Sequence, residues 1–139
     1  MLTESNRFGT ALLLLRIAIG ITFVLHGTPK MAHASTWMDA MPHHPPAFLQ
    51  EAAAVAEFFG GLGLIAGLLG RVAAVCIAVV MLSAIVMVDG RYGLCLNWFG
   101  DRKGHDYEYH LLAIALAAVI IVRGSGAMSL DRLLYISFV

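Results

Sequence analysis

The sequence predicts an all-α fold, an integral-membrane antiparallel four-helix bundle, and three observations carry that expectation. The first is composition: of 139 residues, 60% are hydrophobic and 13% charged, with a mean hydropathy of +0.82, whereas soluble domains carry roughly 25% charged residues. The second is a set of four apolar runs, at about residues 8–27, 47–69, 72–88 and 107–122, each near the roughly 17–25 residues that cross a bilayer core as a helix. The third is the inequality of the connections. Little more than Gly70-Arg71 separates the second and third runs, which forces a hairpin, while residues 28–46 and 89–106 form long loops that four spans place on one face. A chain of this length is one domain, residues 1–139. Nine basic and nine acidic side chains leave no basic face for nucleic acid.

The first run, FGTALLLLRIAIGITFVLHG, contains one charge, Arg16. Its apolar stretch is too long for a cleaved signal peptide and no small-residue cleavage site follows, so an uncleaved membrane helix is expected. Pro42, Pro45 and Pro46 stop any helix in the loop that follows. The second run holds Glu57 and the stretch EFFGGLGLIAGLLG, in which Gly63 and Gly67 have the spacing that lets helices approach closely in lipid. Cys76 lies in the third run and Cys95 in the loop beyond it, with neither a disulfide framework nor CxxC spacing. The fourth run opens on Tyr107, Glu108, Tyr109 and His110, the tyrosines reading as interfacial belt residues.

Orientation follows from the loops. The amino terminus, the Arg71 turn and the carboxyl-terminal tail share a tail face with Arg7, Arg71, Arg123 and Arg132. The loop face carries Lys30, Arg91, Arg102 and Lys103. The cation counts tie. The tail face is assigned to the cytoplasm, because its arginines abut the helix ends and the loop face holds six acids against two.

A cation inside a span costs several kcal/mol unless it finds a polar interior and a partner. Glu57 is the expected partner of Arg16: the arginine lies about 21 Å of helix rise from Lys30 and the acid about 15 Å from Ala47, a difference a long side chain spans. Arg16, Gly20, Phe23, Gly27 and Lys30 share one stripe of the first helix, flanked by His26. Glu108 and His110 are roughly 200° apart on the fourth helix and cannot both face that stripe. Glu108 is chosen, because Lys30 would stabilise its carboxylate. The pair either fixes helix register or forms a site, and the convergence of His26, Lys30 and Glu108 toward one end favours the site. Glu57 and His26 are the candidate catalytic, proton-handling groups. Arg16, Lys30 and Glu108 are the candidate binding groups for a small polar head such as a quinone ring, whose carbonyls need donors.

The loop MAHASTWMDAMPHHPP offers a weaker alternative. His33, His43, His44 and Met41, with Met31 and Met38 nearby, are ligand types that suit copper. No spacing among them matches an established site, and an interfacial loop with Trp37 at the headgroups is the preferred reading.

LLRIAIGITFVLHGTPKM, EFFGGLGLIAGLLGRVAAVCIAVVM and EYHLLAIALAAVIIVRGSGAMSLDRLL, in that order over nearly the whole chain, resemble the bacterial DoxX family. The motifs are an intramembrane Arg, an HGxxK ending, an acid before a Gly pair and a GxGxxSLD-like tail. The resemblance implies a four-helix protein of the bacterial inner membrane linked to oxidoreductase systems, a relative acting in thiosulfate:quinone oxidation. It implies a quinone as substrate, no firm resident cofactor, and other membrane or redox subunits, or further copies of the chain, as partners. It carries the matched polar positions Arg16, His26, Lys30, Glu57 and Glu108. The alternative it leaves open is a non-catalytic membrane partner or assembly protein.

Overall fold

The computed structural model describes residues 4–41, 44–94, 107–126 and 128–134, of which residues 4–6 by backbone only. The described residues are helical, without a strand: α1 (Glu4–Met31), α2 (Ala47–Ala66), α3 (Gly70–Met87), α4 (Glu108–Arg123) and the one-turn α5 (Leu130–Leu133), with a 3-10 turn at Asp89–Arg91. Three of these helices are long and apolar enough to cross a membrane: Arg7–Met31, Ala47–Ala66 and Gly70–Met87. α4 has 16 residues.

Helix boundaries follow local chemistry. α1 runs through Pro29 to Met31, a turn beyond the expected end at Gly27. Proline has no N–H to give there, and the Thr28 hydroxyl bonds the Val24 carbonyl beside it at 2.6 Å. α2 stops at Ala66 rather than Leu69, because Gly67 turns left-handed (φ 67°) and the N–H of Leu68 closes on the Gly63 carbonyl at 2.9 Å, an ending that glycine favours. Leu69 also takes a positive φ of 50°, uncommon and costly for a branched side chain.

Ile19 and Phe23 of α1, Leu64 of α2, Ala73, Ala74, Ile77 and Met81 of α3, and Ala113, Ala117 and Ile120 of α4 form one core. The α4 members recur at helical spacing and mark its inner stripe. Outside, Leu14, Leu25, Phe59, Leu62, Val79, Leu82, Leu112 and Val119 are exposed, while Arg16, Gln50, Glu57, Asp89 and Ser125 are buried. Apolar outside and polar inside is the arrangement a bilayer solvent selects, since ionisable groups within the membrane turn toward the interior.

The α1–α2 contact fixes the register. A Cβ on Gly27 would lie 2.7 Å from the Phe58 nitrogen, one on Gly20 2.7 Å from the Gly61 carbonyl oxygen, and one on Gly61 2.8 Å from the Val24 nitrogen. The helices thus meet backbone to backbone in opposite directions, at these glycines rather than at the expected Gly63–Gly67 pair. Phe58 lies level with Gly27, so α2 begins about 10 Å beyond the end of α1. Residues 31–41 fill that offset as successive turns bonded at every third residue, from His33 N–H to Lys30 carbonyl up to Met41 N–H to Met38 carbonyl. Gln50, buried on α2, holds them: its Oε1 accepts from Met38 N–H at 2.8 Å, its Nε2 donates to Asp39 and to the Pro45 carbonyl, and its own carbonyl accepts from Trp37 Nε1 at 3.1 Å.

Candidate functional site

The register places two polar centres at opposite ends of the core. At the loop end, the Lys30 ammonium donates to both Glu57 oxygens, at 2.7 and 2.6 Å. The Glu57 side chain is 3% exposed and that of Lys30 20%. Lys30 Nζ also stands 4.3 Å from the Trp37 ring centroid, a cation on an aromatic face. The expected Arg16–Glu57 pair does not form: Glu57 lies level with Thr28, which puts Arg16 about 18 Å away along α1 and Lys30 within reach. The sequence estimate took the ends of α1 and α2 as level, and the offset start of α2 shifts every pairing by two turns.

Aromatic side chains border this pair. His26 and Tyr109 stack with ring centroids 5.7 Å apart and planes 18° from parallel, and Phe23 lies 6.5 Å from each. His26 Nδ1 is 2.8 Å from the Thr22 carbonyl. A carbonyl only accepts, so Nδ1 carries the hydrogen, and in the neutral ring Nε2 is an acceptor. His26 and Tyr109 are exposed and sit on α1 and α4, which touch far less than α1 and α2, α2 and α3 or α3 and α4 do.

On α4 the sequence choice between Glu108 and His110 is reversed. Glu108 is exposed, while His110 turns inward, its Nε2 3.3 Å from Asp89 Oδ2. Asp89, buried in the 3-10 turn after α3, supplied the partner that made His110 the inward residue. No pattern within α4 signals it.

At the tail end, Arg16 is wholly buried and serves the backbone. Its guanidinium donates to the Leu64 carbonyl at 3.3 Å and to the Met128 carbonyl, placing a cation at the carboxyl end of α2, where helix carbonyls lack partners. The segment after α4 folds back over this point. Asp131 Oδ1 accepts from Leu69 N–H and Oδ2 from Gly70 N–H at 3.0 Å, Ser125 Oγ donates to the same carboxylate, and the Asp131 N–H donates to the Gly67 carbonyl at 2.9 Å. Asp131 thereby supplies α3 with the amino-terminal cap that its own sequence lacks, and holds Leu69 in its unfavourable conformation. Burial pushes this carboxyl upward, but the bonds from Ser125, Gly70 and Leu69 and the charge of Arg16 prevail together and hold it below its ordinary value.

The loop thus gathers Lys30, Glu57 and His26 at one end and leaves Arg16 at the other. Of the copper-type residues, His33 and Met41 are exposed, His44 Nδ1 lies 3.6 Å from Asp39, and His43 lies outside the described residues, as do Cys95 and His105. Among the described residues no group of three His, Cys, Asp or Glu side chains stands close enough to hold a metal ion.

A family model described as DoxX matches residues 11–90, more than half of the chain. The match takes in Arg16, His26, Lys30, Glu57 and Asp89 and stops before α4 and the tail. No curated protein and no solved structure matches.

Proposed function

We propose, from the premise that the chain belongs to the DoxX family, that it is a quinone-interacting subunit of a membrane oxidoreductase system whose redox centre belongs to a partner. In this reading α4 is the fourth span of an antiparallel four-helix bundle in a bacterial inner membrane, with the termini on the cytoplasmic side. Arg71 Nη2 against the Val122 carbonyl at one end and Asp89 against His110 at the other support an α4 that runs opposite to α3 over its full length.

The observation that carries the reading is the buried Lys30–Glu57 pair behind the His26–Tyr109 stack. A quinone ring entering from lipid between α1 and α4 meets aromatic faces and an ammonium able to donate to a carbonyl, and the hydroxyl of the reduced quinol meets a ring nitrogen able to accept its hydrogen bond. Glu57 and Lys30 form the proton-holding pair within the core, and His26 is the group that exchanges protons with the ring. Glu108, one residue before Tyr109, lies at the outer edge. Arg16 keeps the bundle closed at the other end.

The test is quinone retained by the purified protein, measured by mass spectrometry of its lipid extract. Glu57→Gln and His26→Phe should each lower retention about tenfold, the scale of one hydrogen bond, while His33→Phe with His44→Phe leaves it unchanged. Retention untouched by the first two variants overturns the reading. A second reading, a non-catalytic membrane partner, is favoured by the ordered platform that Gln50 makes of residues 31–41. Copurification of a partner subunit that depends on Gln50 but not on Glu57 selects it.

A further inference from the structure

The tail end has a surface that the quinone reading does not use. Arg71 and Arg123 flank the end of α4: a Cβ on Gly124 would be 3.4 Å from Arg71 Nε, and the Arg123 guanidinium lies 4.6 Å over the Phe8 ring of α1. Arg132 is exposed on α5, next to Asp131. The carboxylate of Asp131 is turned inward, occupied by Leu69, Gly70 and Ser125, and its bonds go to neither Arg123 nor Arg132. Exposed leucines share this end: Leu130, Leu133 and Leu134 on and after α5, and Leu68 and Leu69 in the α2–α3 turn to which α5 is bonded.

We propose that this end is a binding surface for anionic phospholipid, with Arg123 and Arg132 on the headgroup phosphates and the α5 leucines set into the boundary between headgroups and acyl chains. Two features select lipid over an acidic soluble protein. Arg71 opens the membrane-length α3, Arg123 closes α4 beside it and α5 is bonded to the turn before α3, so the cations share the level where that span ends, at headgroup depth, where a soluble partner would have to displace lipid. The leucines of α5 are exposed on a segment tied to the bundle by backbone hydrogen bonds, and exposed apolar side chains beside cations at that depth match the interface of a bilayer, as they do in helices that lie in its plane. The inward use of Asp131 gives the tail two effects at once, closing the α2–α3 turn and presenting its cations outward.

Native mass spectrometry of the full chain in detergent, with phosphatidylglycerol and phosphatidylcholine supplied in equal amounts, tests the proposal. The wild type should retain phosphatidylglycerol preferentially. Arg132→Gln, whose side chain makes none of the bonds that hold the tail, should lower the preference about fivefold, and Arg123→Gln with Arg132→Gln about fivefold further, the increment for each cation at an anionic surface. Arg91→Gln, at the opposite end, should leave it intact. Equal retention of the two lipids by the wild type overturns the proposal, as does a preference unchanged in Arg132→Gln. So does capture of an acidic soluble protein by the tail in place of lipid.

Discussion

At the tail end, Arg16 is fully buried and its charge goes to the carbonyls of Leu64 and Met128, while Asp131 gives its carboxylate to the N–H groups of Leu69 and Gly70. At the loop end, Lys30 and Glu57 spend their charges on each other, beside aromatic rings and with Lys30 still 20% exposed. Charges given to backbone at helix ends are used up in closing the fold. An ammonium and a carboxylate joined directly satisfy each other and close no helix end. The same chemical types therefore act as structure at one end and as a candidate site at the other, and their partners decide which.

Substitution separates the two ends. The largest effect is expected for Arg16→Leu, which removes the guanidinium bonds to the Leu64 and Met128 carbonyls and frees the tail: about 3–4 kcal/mol of stability, at roughly 1.5–3 kcal/mol for each hydrogen bond to a charged group, seen as a lowered unfolding temperature in detergent. Arg16→Lys should rescue little of it, because an ammonium cannot span both carbonyls as a planar fork does. Glu57→Gln should cost less, about 2 kcal/mol, since Lys30 can turn toward solvent. Lys30→Met combined with Glu57→Leu should recover most of that stability without recovering quinone retention. A double variant that restored both would make the loop end structural too and erase the contrast.

Asp131→Asn should cost about 1–2 kcal/mol, the scale of a lost helix cap. Its pH dependence identifies the cause. The folded carboxyl titrates below its unfolded value, so its contribution is complete above the unfolded value near 4 and disappears as pH falls through the folded one. Unfolding temperatures of wild type and Asp131→Asn should therefore differ at pH 7 and converge under acid. The smallest effect is expected for Trp37→Phe, about 1 kcal/mol or less, from the indole bond to the Gln50 carbonyl and a weaker cation–aromatic contact.

The helices were legible because apolar run length is a local property; the ends missed by a turn are both ends of α1, which starts at Glu4 and runs through Pro29 to Met31, and the end of α2, cut short at Gly67. Arg16 and Glu57 stood out for the same reason, as single charges in apolar runs. Their partners were not legible, because pairing depends on a register set by Gly20, Gly27 and Gly61 and by turns in residues 31–41 that look like an open loop in sequence. The Asp131 cap joins residues 61 and 62 positions apart, beyond any local pattern. Its one visible trace was the SLD motif, in which Ser129 accepts from the Arg132 N–H and caps α5.

Where Gly20, Gly27 and Gly61 bring α1 and α2 together, the partner's own backbone lies 2.7 Å from the place of each missing Cβ. Such a joint is held by backbone, which cannot repack as side chains do. Mechanically α1 and α2 form a single plate, and the short Gly67–Gly70 turn, clamped by Asp131, makes the tail end its fixed edge. Any flexing of the bundle must then appear at the far edge between α1 and α4, as a parting of His26 from Tyr109. The glycines that immobilise one seam thus determine where the other opens.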